Sequence, residues 1–465
     1  MGRGLTVFPC VWLVLADQTR ADIYVPGDYP TIQAAINAAS GGDVIHLAAG
    51  RYHEALVITQ SVTLAGSGTN NCIVYASTNV PLVSITGPGA VTLSGFEING
   101  GTYLSGFYNG TSFQGITATN VNLVLNQIVV NQIINFMVTE TDGTLAATNI
   151  ALWTRDLLVQ CDVGLELDGC IGVINGLSQN GGRIDHTVNI NGASNHHSDV
   201  TIANATIRTS QGTYGNCIRT YVNSNVRITN CYLYRGTGEA VPPYPGFNHS
   251  AISVNGYSNT VTISGNTISN APWAMYFYGS PGIGGNQIMV QDNLILNSTI
   301  GGVVLDGLNY KGIDLGDGAL DSHGGNVFSE SPKPATYTND VLFTGSSAPS
   351  SANVMALYNT WSNPTNTDSV VYDRLDDPKF GRLITTPLLI KSFAWSPMHQ
   401  PVLSWAERGA GEDYTVETCT NLSAPSWNPA PGTWPITNAG LADMVWTNSV
   451  PATANLFYHL RSNLP

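Results

Sequence analysis

The sequence predicts an all-β protein, a parallel β-helix closed by a short N-terminal helix and followed by a small β-sandwich. Three observations carry that expectation. Charged residues make up only 10% of the 465, against a usual share of about 25%, and the straight-chain helix formers Lys, Glu and Arg are correspondingly scarce. The chain holds 49 Gly, 20 Tyr and some forty Asn, and Gly and Asn are the residues that take the positive-φ corners between strands. Finally, an eight-residue phrase recurs along the middle of the chain.

That phrase reads Val91-Thr-Leu-Ser-Gly-Phe-Glu-Ile98, Val200-Thr-Ile-Ala-Asn-Ala-Thr-Ile207, Val226-Arg-Ile-Thr-Asn-Cys-Tyr-Leu233, Val261-Thr-Ile-Ser-Gly-Asn-Thr-Ile268 and Ile288-Met-Val-Gln-Asp-Asn-Leu-Ile295. Each copy is two short alternating strands that meet at a bend held by Asn, Gly or Asp. The last four copies start 26, 35 and 27 residues apart, a loose period with no helical pattern between, which indicates a solenoid of stacked coils. Inward Ile, Val and Leu would stack about 4.8 Å apart from coil to coil, and bend Asn residues would hydrogen-bond up and down the stack. A β-propeller is the runner-up, but its blades need about 40–50 residues and hairpin turns.

In chain order, residues 1–21 read as an export signal: Arg3, an apolar run from Leu5 to Ala16, and a polar stretch ending at Ala21. The run is shorter than the roughly 20 apolar residues a membrane span needs. A secreted, soluble protein is therefore expected. The six cysteines after Cys10 are scattered, without a CxxC pair, so buried free thiols are favoured over zinc ligation or a disulfide framework. After Pro30, Ile32, Ala35, Ile36 and Ala39 fall at helical spacing and predict a short helix covering the first coil. The solenoid domain spans 22–386.

The segment Asp28-Tyr-Pro-Thr-Ile-Gln-Ala-Ala-Ile36 with Asp43-Val-Ile-His-Leu-Ala-Ala-Gly-Arg-Tyr52 resembles the opening of right-handed parallel β-helix proteins of the pectin-lyase-like superfamily. Gly312-Ile-Asp-Leu-Gly316, Gly324-Gly-Asn326, Asn359-Thr-Trp361 and Val371-Tyr-Asp-Arg-Leu-Asp-Asp-Pro378 resemble the closing coils of secreted bacterial members. The resemblance covers roughly residues 22–385 and implies a right-handed coil. Its members include polysaccharide lyases, glycoside hydrolases, sugar epimerases and non-catalytic surface proteins, so fold alone does not choose a reaction. Asp185-His186 resembles an element of pectate lyases whose acid binds calcium, but Arg183 stands where Trp usually precedes it. The Gly-His-Gly turn of galacturonase-type hydrolases does not occur in the sequence.

Residues 387–465 follow a different grammar, with short strand-like runs separated by Pro, Gly, Asn and Ser turns. They resemble the immunoglobulin or fibronectin-type module carried C-terminally by secreted bacterial enzymes. Trp405, Trp427, Trp434 and Trp446 are expected to pack in its core or at an interface, with sugar binding as the alternative.

Alternation also predicts a functional column. In the strands 164–169, 187–191, 217–221, 251–255, 274–278 and 302–306, pointing the apolar residues inward leaves Glu166 and Asp168, Asn189 and Asn191, Arg219 and Tyr221, Ser253 and Asn255, Tyr276 and Tyr278, then Asp306 outside. Acids at both ends, an arginine between and tyrosines to stack on sugar rings suit a carbohydrate. Glu166 and Asp168 would stand about 6–7 Å apart at the ordinary strand rise, within reach of a two-carboxylate hydrolysis. Arg219 with Tyr221, or with His186, would instead supply the cation and base that uronate elimination or epimerisation requires. The catalytic candidates are thus Glu166, Asp168, Arg219 and Tyr221. Asn189, Asn191, Asn255, Tyr276, Tyr278, Asp306 and His186 are the candidate substrate contacts.

A second cluster, Arg183, Asp185 and His186 with His196, His197 and Asp199, makes a poor metal set because adjacent histidines on a strand face opposite ways. No cofactor is expected. Asp314, Asp317 and Asp321 are the candidate oxygen ligands for calcium, though their spacing misses the EF-hand loop and turn capping is favoured. The formal charge of −14 disfavours nucleic acid and anionic membranes as partners. The expected partner is a polysaccharide, bound by a monomer. Glycoside hydrolysis is the favoured activity, a lyase or epimerase acting on a uronate polymer the next, and a non-catalytic surface or adhesion protein the alternative from another class.

Overall fold

The structure is a computed structural model that describes residues 20–463 except 76–79, 88, 101–113, 132, 134, 154–159, 181–182, 193–195, 210–214, 236–249, 280–284, 308–309, 311, 330–337, 346–352, 387, 389, 406–412, 421–422, 424, 432, 434–435, 438–443 and 449–455. The core of the export segment, residues 1–19, and Trp434 lie outside the described residues.

Three long parallel sheets, of 14, 11 and 12 strands among the described residues, share one interior. Successive strands visit the first, second and third sheet in turn. One coil runs from Ser198–Ala203 through Thr206–Thr209 to Asn216–Thr220, and the next opens at Ser224–Thr229, hydrogen-bonded beside Ser198–Ala203 in parallel register. This is the expected parallel β-helix. Its interior is one continuous apolar cluster running from Ile23 to Leu383. Each fully buried aliphatic side chain there contributes about 1.5–3 kcal/mol.

The recurring phrase is the corner between the first and second sheets. Its bend residues Gly95, Asn204, Asn230, Gly265 and Asp292 have φ of 70°, 54°, 53°, 67° and 56°, the left-handed turn that Gly, Asn and Asp tolerate best. The residue after the bend turns inward, and in the later coils it is Asn. Asn266, Asn293, Asn326 and Asn359 form a ladder in which each Nδ2 donates to the next Oδ1 at 2.9 Å. The Oδ1 atoms of Asn266, Asn293, Asn326 and Asn359 also accept the backbone N–H of Cys231, Asn266, Asn293 and Asn326 in turn. The ladder therefore satisfies the buried corner amides that no strand reaches.

The helix Ile32–Ala38 closes the first coil with Ile32, Ala35 and Ile36 buried. Thr31 caps it through Oγ1 to the Ala34 amide, and the Glu54 carboxylate accepts the Ile32 and Gln33 amides at 2.9 Å each. A carboxylate at that end also complements the positive N-terminal pole.

Among the described residues the last parallel strand is Leu383–Ile384, and from Ile390 onward all pairing is antiparallel. One sheet orders Ile390–Trp395, Pro401–Trp405 and Met444–Thr447. The other is built on Asp413–Cys419, which pairs with Phe457–Asn463 and with two short strands. Leu403, Trp405, Tyr414, Val416, Trp446 and Leu460 fill a core of their own. Trp405 and Trp446 are thus core residues, while Trp427 packs its ring 5.2 Å from His459.

All six cysteines after Cys10 are buried and outside any disulfide. The Asp314 carboxylate gathers backbone donors: its Oδ1 accepts the Gly316 and Gly318 amides and its Oδ2 those of Leu320 and Ser322, at 2.9–3.2 Å. With four donors around it, the carboxylate organises a loop in which Asp317 and Asp321 sit at positive-φ turn positions.

Candidate active site

The third sheet carries the column that alternation predicts. Its register stacks Thr139, Glu166, Asn189, Arg219, Ser253, Tyr276, Val304 and Leu342 on successive coils. Beside it run Thr141, Asp168 and Asn191, and farther along Tyr278, Asp306 and Thr344. On the other flank a third column, which sequence reading missed, passes through Val163, His186 and Asn216 and later through Ser250, Trp273 and Gly301. A bend after that flank turns two consecutive residues inward, as with Thr187 and Val188, both buried. This breaks simple alternation, so only the register could reveal the extra column.

The face divides into two parts. In the first, Glu166, Asp168, His186, Asn189, Asn191 and Arg219 are half-buried and Tyr221 is exposed. In the second, Ser253, Asn255, Trp273, Tyr276 and Val304 are buried. Trp273, Tyr276 and Val304 form a compact apolar cluster with Ile300 and Leu342. Gly301 is what permits it: a Cβ there would lie 2.2 Å from the Trp273 ring, so the indole lies flat across the next coil.

This corrects two expectations. Tyr276, at 3% exposure, offers no free ring to a sugar; its hydroxyl instead donates to Asp306 Oδ2. Burial, with the Asp306 carboxylate beside it, raises that phenol far above its ordinary range. Asn255, at 5% exposure, is likewise not an open contact, because its backbone turns into the corner, where Asn259 Nδ2 donates to its carbonyl at 2.8 Å. Tyr221 and Tyr278 are the exposed rings of the column.

In the polar part, Asn189 Nδ2 lies 3.0 and 2.8 Å from the two carboxylate oxygens of Glu166. Burial pushes the Glu166 carboxyl up to about 7, and the neighbouring Asp168 charge adds to that rise. The Asn189 hydrogen bond and, more weakly, Arg219 pull the other way. Arg219 sits with its guanidinium carbon 5.1 Å from the centre of the Tyr221 ring, a cation–π arrangement. Burial lowers the Arg219 proton affinity while the Tyr221 and Glu166 charges raise it.

The second histidine cluster is dispersed. His186 is half-buried on the third sheet in register with Asn216, Asp199 pairs with Arg227 at 3.1 Å, and His196 Nδ1 stands 2.6 Å from Asp142 Oδ1 at the corner beyond Asp168. The side chains of Arg183 and Asp185 lie outside the described residues. No group of three or more His, Cys, Asp or Glu residues suited to hold a metal occurs among the described residues.

No family model matches the sequence, and no curated protein does. Solved structures do resemble it. The mannuronan C-5 epimerase A-module of Azotobacter vinelandii is 14% identical, with a TM-score of 0.46 over 77% of this chain and 94% of that one. The catalytic domain of a GH87 alpha-1,3-glucanase in complex with nigerose is 13% identical, with a TM-score of 0.42 over 80% of this chain and 69% of its own. A family 28 exopolygalacturonase of Yersinia enterocolitica is 12% identical, with a TM-score of 0.40 over 77% and 69%. Similarity at this level transfers no reaction to the present chain.

Proposed function

We propose that the chain is an exported carbohydrate-active protein that hydrolyses a polysaccharide laid along the third sheet, with Glu166 as general acid and Asp168 as its carboxylate partner. One observation carries the reading: Glu166 is raised to about 7 by burial while it shares a strand face with Asp168 two residues on. A proton donor poised near neutral pH beside a second carboxylate is the pair that glycosidic cleavage needs. The ordinary strand rise separates the two Cα atoms by about 6.7 Å, and carboxyl separations of about 6.5–9.5 Å belong to inverting hydrolysis.

In that mechanism Glu166 donates its proton to the leaving glycosidic oxygen as the bond breaks. Asp168 takes a proton from the attacking water on the opposite face of the ring. Asn189 fixes the Glu166 rotamer. Asn191, His186 and the Tyr221 and Tyr278 rings bind sugar hydroxyls and faces, and Asp306, held by Tyr276, marks the far end. Five coil steps at about 4.8 Å put Asp306 roughly 24 Å from Glu166, room for an extended oligosaccharide.

The Arg219–Tyr221 contact favours a second reading, elimination or epimerisation at a uronate, where a cation neutralises the enolate and a phenol carries the proton. Incubation with a panel of neutral and uronate polysaccharides separates the two. Reducing ends without unsaturated-bond absorbance support hydrolysis. Unsaturated ends support elimination, and inverted uronate stereochemistry without cleavage supports epimerisation. Binding without turnover leaves a non-catalytic surface protein.

A further inference from the structure

We infer that His196, held by Asp142, belongs to the proposed site and binds a sugar hydroxyl at the edge of the groove beside Asp168; the inference rests on the groove reading above. Three adjacent coils carry the argument. The register places Thr141, Asp168 and Asn191 one above another, so the residues that follow, Asp142, Gly169 and Gly192, stack at the sheet's outgoing corner. From the segment after Gly192, His196 reaches back two coils and sets Nδ1 2.6 Å from Asp142 Oδ1.

The space between them is kept open by Gly169. Its φ is +64°, and a Cβ there would lie 2.7 Å from Asp142 Oδ1 and 2.9 Å from the His196 Cβ. The pair therefore lies directly over the residue that follows Asp168. Its backbone is anchored as well, since Asn223 Nδ2 donates to the His196 carbonyl at 3.2 Å.

An imidazole whose Nδ1 is engaged by a carboxylate has its tautomer and ring plane fixed, and Nε2 becomes its working nitrogen. The His196 and Asp142 side chains are 54% and 41% exposed, so the ion-pair attraction itself is worth little to stability. The arrangement holds a polar nitrogen at a fixed point over Gly169, the residue that follows Asp168. A sugar hydroxyl, which both donates and accepts, is the ligand that such a nitrogen meets in a neutral glycan.

The test compares wild type, His196→Ala, His196→Gln, Asp142→Asn and Glu166→Gln on hexasaccharides of β-glucan, α-glucan, galactan and polygalacturonate, reading dissociation constants by calorimetry and melting temperatures in parallel. One lost hydrogen bond corresponds to about a 3–10-fold weakening. That loss is expected in His196→Ala on the hexasaccharide that wild type binds, with a smaller one in Asp142→Asn, partial rescue in His196→Gln and unchanged melting. Where turnover is measurable, KM rises and kcat holds. Unchanged affinity in His196→Ala on a ligand whose turnover Glu166→Gln abolishes overturns the inference and leaves the groove reading standing. Failure of every hexasaccharide to bind wild type overturns both.

Discussion

Asn189 donates through Nδ2 to both carboxylate oxygens of Glu166, at 3.0 and 2.8 Å, from the coil directly after it. A charged carboxylate gains from that contact, yet burial outweighs it and leaves the group titrating near 7. Replacing Asn189 with Leu removes a contact that favours the ionised form, so Glu166 should titrate higher still. Carboxyl NMR of the labelled protein checks both values. A wild-type Glu166 titrating near 4.5 would remove the acid from the proposed mechanism.

The same displacement fixes the alkaline limb of any activity. A general acid must hold its proton, so the rate should fall as pH rises through about 7, and Glu166→Gln should lower turnover by roughly 100–10,000-fold. Folding loses stability over the same rise in pH. A carboxyl whose affinity for a proton is higher in the folded chain destabilises it above the unfolded value, so Glu166→Gln should melt no lower than wild type at pH 8.

Glu140 offers a cleaner stability test because it points into the interior, in register with Ala118 and Leu167 and fully buried. Burial raises it to about 8 from 4.5, partly opposed by the Val121 backbone. Below about pH 4.5 folded and unfolded chains both hold the proton. Between there and about 8 only the folded chain does, and stability falls by about 1.4 kcal/mol for each pH unit. Glu140→Gln should abolish that slope, so its melting temperature should overtake wild type's by a margin that widens from pH 5 to pH 8. Parallel melting curves at all pH values would contradict it.

The corner ladder should be cooperative. Asn293 accepts from Asn266 and donates to Asn326, and its Oδ1 also takes the Asn266 amide. Asn293→Ala leaves buried partners on both sides unpaired, at about 1–3 kcal/mol each. Chemical denaturation should show a loss of several kcal/mol, with Asn293→Asp failing to rescue it because the Nδ2 donor is gone. A change under 1 kcal/mol would mean that the corner amides find other partners.

Much of this was legible in the sequence. The bent phrase locates the corners, because positive φ selects Asn, Gly and Asp there, and period-two alternation puts Glu166, Asn189, Arg219 and Tyr276 in one column. What alternation could not give was depth. Tyr276 and Asn255 face the predicted way but are buried, since the Trp273–Val304 cluster and the corner beside Asn259 depend on contacts between coils. The His186 column was hidden by the two consecutive inward residues at the sheet's entry. The Asp142–His196 pair spans two coils at a corner, where separation along the chain carries no information about distance.

The central claim is that Glu166 and Asp168 act together on a glycosidic bond. It is tested most directly by following, with proton NMR, the anomeric configuration of the first sugar end released from the polysaccharide panel, for wild type, Glu166→Gln and Asp168→Asn. The account predicts that wild type releases an end of inverted configuration and that either substitution suppresses release. Release at the wild-type rate by both variants would contradict it.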